Sequence, residues 1–148
     1  MKNFSKLLLA GFIGLLFAAC SNTPDYVGNY KFTGTAVTTV TRSGAEPQIA
    51  TQTLNGTFTL SQSGDNYVII SGDMNLQGTI KDNAIVVEPT HVEQSMSGMK
   101  QTVDNTIEPI QLGGSSLHVV SHSTVKQEMN GELVQTTKLE EDYTAVKL

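Results

Sequence analysis

The sequence predicts an all-β domain. The expected architecture is an eight-stranded antiparallel up-and-down meander closed into a barrel, with a two-sheet sandwich of the same strands as the alternative. Two observations carry this. After Cys20 no window shows a 3.6-residue apolar period, whereas period-two alternation recurs, broken at fairly regular intervals by Gly, Asn, Asp and Ser. The connections between these runs are short, which permits antiparallel pairing and excludes parallel crossovers. Composition agrees: Thr is abundant, there are 13 Gly and no Trp, and Phe and Tyr total nine, a balance that favours strands and turns over helices. Closure into a barrel removes both sheet edges, and eight strands enclose either a filled core or one small ligand.

The elements begin with a leader. Lys2 and Lys6 flank a charge-free run, Leu7 to Ala19, which ends at Cys20, the one cysteine of the chain. A helix of 13 residues spans about 20 Å, short of a ~30 Å hydrocarbon core, so a mature spanning helix is not expected. A positive n-region, a short apolar region and small residues before a cleavage point describe a secretory signal. The stretch Phe17-Ala18-Ala19-Cys20 resembles a bacterial lipoprotein signal, with Phe17 in place of the usual Leu. That resemblance implies residues 1–19 as signal peptide and Cys20 as the lipidated first residue. It implies an envelope location, and Ser21 after Cys20 resembles the pattern of lipoproteins sorted to an outer membrane, facing the periplasm. Lipidation also accounts for a lone cysteine in an exported chain. Residues 20–25 then comprise the lipidated cysteine and a tether, Ser21 to Asp25, with Pro24 stiffening it. Five extended residues reach only ~17 Å, which keeps the domain close to the membrane.

The domain occupies residues 26–148. Its first strand is Val27–Thr41, with Tyr30, Phe32, Ala36 and Val40 on one face. Arg42-Ser43-Gly44-Ala45 turns it into the second, Gln48–Ser61, where Leu54, Phe58 and Leu60 share a face. Ser63-Gly64-Asp65-Asn66 leads to Tyr67–Ser71, and Gly72-Asp73 to Met74–Ile80. Lys81-Asp82-Asn83 opens the fifth, Ala84–Gln94. Pro89 removes one ladder donor there, so a bulge or break is expected. Ser97-Gly98 separates it from Met99–Glu108. Gly113-Gly114-Ser115 precedes the seventh, Ser116–Gln127. Asn130-Gly131, the strongest two-residue hairpin signal in the chain, precedes the last, Glu132–Lys147.

Val27-Gly28-Asn29-Tyr30 resembles the Gly-x-Trp element that opens lipocalin-like (calycin-type) barrels, with Tyr30 in place of Trp. The resemblance rests on that motif together with strand number and size over residues 26–148. It implies a small apolar ligand in a lumen lined by Tyr30, Phe32, Phe58, Leu76 and Val119. The residues equally allow a lumen packed solid by Phe32, Phe58, Leu76 and Val119. Neither the helix that follows lipocalin barrels nor a helical lid has a counterpart.

Polarity is uneven along the meander. Three hairpins are flanked by long polar stretches, Thr38–Thr53, His91–Asp104 and Ser121–Lys138. Leu60, Val68, Ile80, Ile85 and Leu117 lie near the turns at the other end. An apolar, plugged end next to the tether and a polar, extended end away from the membrane follow from this.

Chemistry is sparse. Two of the nine basic residues, Lys2 and Lys6, lie in the leader; the remaining 129 residues carry seven basic against 14 acidic side chains, a net of −7. That balance argues against nucleic-acid binding and against adhesion to anionic lipid. His118 and His122 share a strand face but lie ~13 Å apart, too far to hold one metal. Met96-Ser97-Gly98-Met99, with Met129, reads as loop methionines at an apolar rim. Glu140-Glu141-Asp142 reads as a solvated strand face. No nucleophile motif occurs, and no cofactor is expected. The sequence therefore points to a non-enzymatic, lipid-anchored envelope protein. It would bind a small apolar ligand or, alternatively, serve as a protein-interaction or inhibitor module using its polar hairpins.

Mass spectrometry of the chain made in its bacterial host is expected to find a mature N-terminus at Cys20 carrying acyl groups. The Cys20→Ala variant is expected to lack them; identical unmodified masses for both would contradict the anchor.

Overall fold

The computed structural model describes residues 23–148; the leader, Cys20 and the first tether residues lie outside the described residues. Ten strands form one sheet: β1 (Gly28–Arg42), β2 (Gln48–Ser63), β3 (Tyr67–Gly72), β4 (Leu76–Lys81), β5 (Ala84–Val86), β6 (Thr90–Met96), β7 (Met99–Ile107), β8 (Ile110–Gln111), β9 (Ser116–Met129) and β10 (Glu132–Lys147). The sheet is antiparallel and curled, with order β6-β7-β9-β10-β1-β2-β3-β4-β5-β8. No helix occurs among the described residues. The expected all-β antiparallel class holds, as a half-barrel in one sheet rather than two stacked ones.

Strand number and closure differ from the simple eight-stranded barrel for identifiable reasons. The run expected over Ala84–Gln94 is two strands, β5 and β6, because the chain breaks at Val87-Glu88-Pro89. A short β8 follows β7 across Pro109. Proline has no backbone N–H to offer a ladder and sits where one ends. At both prolines the chain changes partners: β6 and β7 join the β9 side of the sheet, whereas β5 and β8 pair with each other on the β4 side. The ladder therefore does not close by continuous pairing. Instead β8 comes beside β9, and the Glu108 amide donates to the Val120 carbonyl at 3.0 Å.

Strand lengths set the shape. β1, β2, β9 and β10 run for 15, 16, 14 and 16 residues, while β3, β4, β5 and β8 run for 6, 6, 3 and 2. The short strands complete a wall around only one half of the long ones. That half holds the core: Tyr30, Phe32, Phe58, Leu60, Val68, Ile70, Ile85, Ile110, Leu112, Leu117, Val119, Tyr143 and Ala145. Tyr30 stacks on Phe58 with ring centroids 5.2 Å apart, and Phe32 meets Tyr143 at 5.1 Å. The tether end is pinned to this closed half: the Tyr30 hydroxyl donates to the Tyr26 carbonyl at 2.6 Å, and the Lys147 ammonium donates to the Asp25 carbonyl at 2.6 Å. The expected apolar end, here beside Asp25 and Tyr26, and the polar extended end are both present.

Beyond the core, six strand segments form an open wall. Residues directly opposite across a pair share a face, so the registers define rows. On the concave side one row is Val92, Val103, Val125 and Thr137; the next is Gln94, Gln101, Gln127 and Gln135; and at the tip stand Met96, Met99 and Met129. The opposite side carries His91, Glu93, Lys100, Asp104, Lys126 and Lys138. The hairpins at the tip use left-handed residues, Ser97-Gly98 (φ 48 and 83) and Asn130-Gly131 (φ 53 and 86), as two-residue type I′ connections require.

Gly34 lies opposite both Tyr143 and Leu54, and a Cβ on it would meet the Tyr143 Cβ and the Asp142 carbonyl. Urea denaturation of Gly34→Ala is expected to reveal a loss of about 1–3 kcal/mol, the usual cost of overpacking. Unchanged or raised stability would show that this wall yields freely.

Candidate functional site at the strand junction

A cavity of about 360 Å³ opens where the closed half gives way to the open wall. Its position follows from the two prolines. As β5 ends, Val87, Glu88 and Thr90 lead away towards β6; as β7 ends, Ile107 leads towards β8. Between these diverging segments the wall has a gap that short strands do not fill. Leu76 of β4, Val87, Ile107 of β7 and Leu139 of β10 give the cavity mainly apolar walls. Asn105, Ser121 and Ser123 add uncharged polar groups, and Glu88, Thr106 and His122 border it. The volume lies at the lower end of what small-molecule sites occupy.

Glu141 is the charged group of the site. Its register partners are Ala36 and Ser121, so it faces the concave side together with Leu139 and Tyr143. The Ser121 hydroxyl donates to its Oε2 at 2.8 Å. Below it, burial and then the Glu141 charge push the Tyr143 hydroxyl well above the usual tyrosine range, and that hydroxyl hydrogen-bonds the Met74 sulfur. Glu140 and Asp142 face outward, as a solvated run should. The expectation that all of Glu140-Glu141-Asp142 is a solvated face is thus corrected at its middle residue. The signal was in the alternation: Leu139, Glu141, Tyr143 and Ala145 have one parity, and Tyr143 and Ala145 are core.

Of the residues expected to line a lumen, Leu76 borders the cavity. Tyr30, Phe32, Phe58 and Val119 are instead buried in the packed core, between 1% and 6% exposed. The closed half is therefore filled, and the space lies above it. Cys20 lies outside the described residues.

The histidines do not converge. His118 pairs with Asp142 at 2.7 Å, His122 with Glu108 at 3.4 Å and Glu140 at 4.0 Å, and His91 with Asp104 at 2.5 Å. No group of three His, Cys, Asp or Glu side chains able to hold a metal occurs among the described residues. At the tip, Met96 (80% exposed), Leu133 (51%) and Met129 (49%) form a rim of apolar groups in solvent.

No family model matches the chain, and no curated protein sequence does. Among solved structures, the chain is similar to the crystal structure of a protein of unknown function from the DUF3598 family of Nostoc punctiforme, at 18% identity and a TM-score of 0.26. The match covers 80% of this chain and 47% of that one, so this chain spans about half its length.

The His91 side chain is held above the ordinary histidine pKa, first by its hydrogen bond to Asp104 and then by the charges of Asp104 and Glu93, against partial desolvation. A raised folded-state value means the β6–β7 pairing gains support that is complete below about pH 6.5 and fades as pH rises through the raised value. An NMR titration is expected to find His91 above 6.5, with Asp104→Asn lowering it and the protection of β6 amides, corrected for base-catalysed exchange, falling as pH rises through that value. A His91 titration unmoved by that substitution would contradict the pairing.

Proposed function

We propose that this is a lipid-anchored envelope protein of bacteria, without enzymatic activity, that binds a small apolar ligand. The site is the junction cavity, not the packed interior. The observation that carries the reading is the combination of a filled closed half with a half-open, mainly apolar cavity directly above it. Leu76, Val87, Ile107 and Leu139 offer walls to an alkyl or ring system, at about 25 cal/mol for each Å² removed from water. The anchor at Cys20 follows from the signal resemblance, with the outer membrane, periplasmic side, as the proposed site. A tether of ~17 Å would hold the closed half near the lipid and leave the cavity facing the aqueous compartment.

A second reading, a protein-interaction or inhibitor module, draws support from the rim at the tip, where Met96, Met129 and Leu133 are exposed. Methionine-bearing surfaces adapt to varied partners. The two readings separate by location. In the first, a neutral fluorescent apolar probe, N-phenyl-1-naphthylamine, binds the domain and is displaced by decanol. Ile107→Gln and Leu139→Gln each weaken it about tenfold, a 1.4 kcal/mol effect, whereas Met96→Gln leaves it unchanged. Binding insensitive to Ile107 and Leu139 would move the site away from the junction.

A further inference from the structure

The cavity is not only apolar, and its one inward charge has a sign. At the level of the cavity, Glu141 is the carboxylate whose strand position faces the concave side. The Ser121 hydroxyl occupies its Oε2. Among the described residues no lysine or arginine borders the cavity. The basic side chains of the same facing parity are engaged elsewhere: Arg42 with Gln135 and Gln48 at the tip, and Lys147 with the Asp25 carbonyl at the base. The histidine at the border, His122, faces the other side of the sheet, towards Glu108 and Glu140. Glu88 at the border adds a second negative charge, not a compensating one.

We propose that the ligand of this cavity is a single-chain amphiphilic amine, its apolar chain against Leu76, Val87, Ile107 and Leu139 and its protonated amino group on Glu141. This rests on the reading of the cavity as a ligand site. Three ligands of one shape differ here only in their head groups. A half-buried carboxylate among apolar walls is poorly solvated, and a like charge brought beside it is repelled in a medium where charges act more strongly than in water. A fatty acid is therefore disfavoured. An alcohol can donate one hydrogen bond to the carboxylate but brings no charge. An ammonium donates one as well and adds the attraction of opposite charges in a medium less polar than water. The gain is reduced by stripping water from the ammonium, so a preference of about tenfold over the alcohol is expected.

The test uses residues 23–148, which hold all ten described strands and the described core, with decylamine, decanol and decanoate at equal, sub-micellar concentrations competing for the neutral fluorescent probe. Decylamine is expected to displace it at about one-tenth the concentration needed for decanol, and decanoate to be weakest. Glu141→Gln keeps an acceptor for Ser121 and removes the charge; it is expected to bring the amine and the alcohol within about twofold of each other. Glu88→Gln, at the exposed border, is expected to preserve the order. Displacement in which the acid or alcohol equals the amine, or an amine preference that survives Glu141→Gln, overturns the proposal while leaving an apolar-ligand site standing. Failure of all three to displace the probe removes the site itself, and the proposal with it.

Discussion

The structure depends on a mismatch in strand length. β1 pairs in unbroken register with β10 from Tyr30 to Arg42 and with β2 from Gly28 to Val40. These long partners extend well past the point where β3, β4, β5 and β8 stop. Only the half that the short strands reach can surround side chains on all sides, and there the aromatic and branched residues collect. Past that level the same strands continue as a wall whose concave side carries Val, Gln and Met rows, with Arg42 among them at the tip, and whose convex side carries most of the charges. The pairing of β9 and β10 departs from regularity only near the tip, between Leu133 and Gln135. Because side-chain direction alternates with period two, a one-residue slip in any of these ladders would exchange the charged and uncharged faces. Register is specified most strongly in the closed half, where one face of each strand is buried.

The cavity is the consequence of ending a wall part-way. Pro89 and Pro109 stand on the two segments that cross between the closed half and the open wall, and neither contributes a ladder donor. Divergence of those segments leaves a gap that β10, β9 and β7 line from behind. Glu141 then stands at a defined height: above Tyr143, which closes the core, and below Leu139. A carboxylate at this height meets whatever enters the gap. One pair lower, it would be buried against Tyr143 and costly; one pair higher, it would be on the open wall and screened by water.

Much of this was legible in the residues. Period-two alternation and short turns gave the all-β antiparallel class, and Asn130-Gly131 and Ser97-Gly98 are hairpin turns as their chemistry requires. The uneven polarity of Thr38–Thr53, His91–Asp104 and Ser121–Lys138 foretold an open, polar end opposite the tether. Pro89 marked its strand break. What escaped has physical causes. β8 is two residues long, too short for any periodicity, so the exchange of partners after Pro109 left no pattern. Which of Tyr30, Phe32, Phe58, Leu76 and Val119 touch empty space depends on how far the short strands reach, a tertiary property. Glu141 was hidden inside a run of three acids, where charge outweighed the parity it shares with Tyr143 and Ala145.

The central claim is that ligand space lies at the strand junction, above a filled interior and below the tip. Methyl NMR spectra of the domain with a spin-labelled alkyl chain test it most directly, because the label broadens only signals near it. Broadening is expected to concentrate on Leu76, Val87, Ile107 and Leu139. Broadening centred on Met96, Met129 and Leu133, or on the core methyls of Leu60 and Val68, would contradict it.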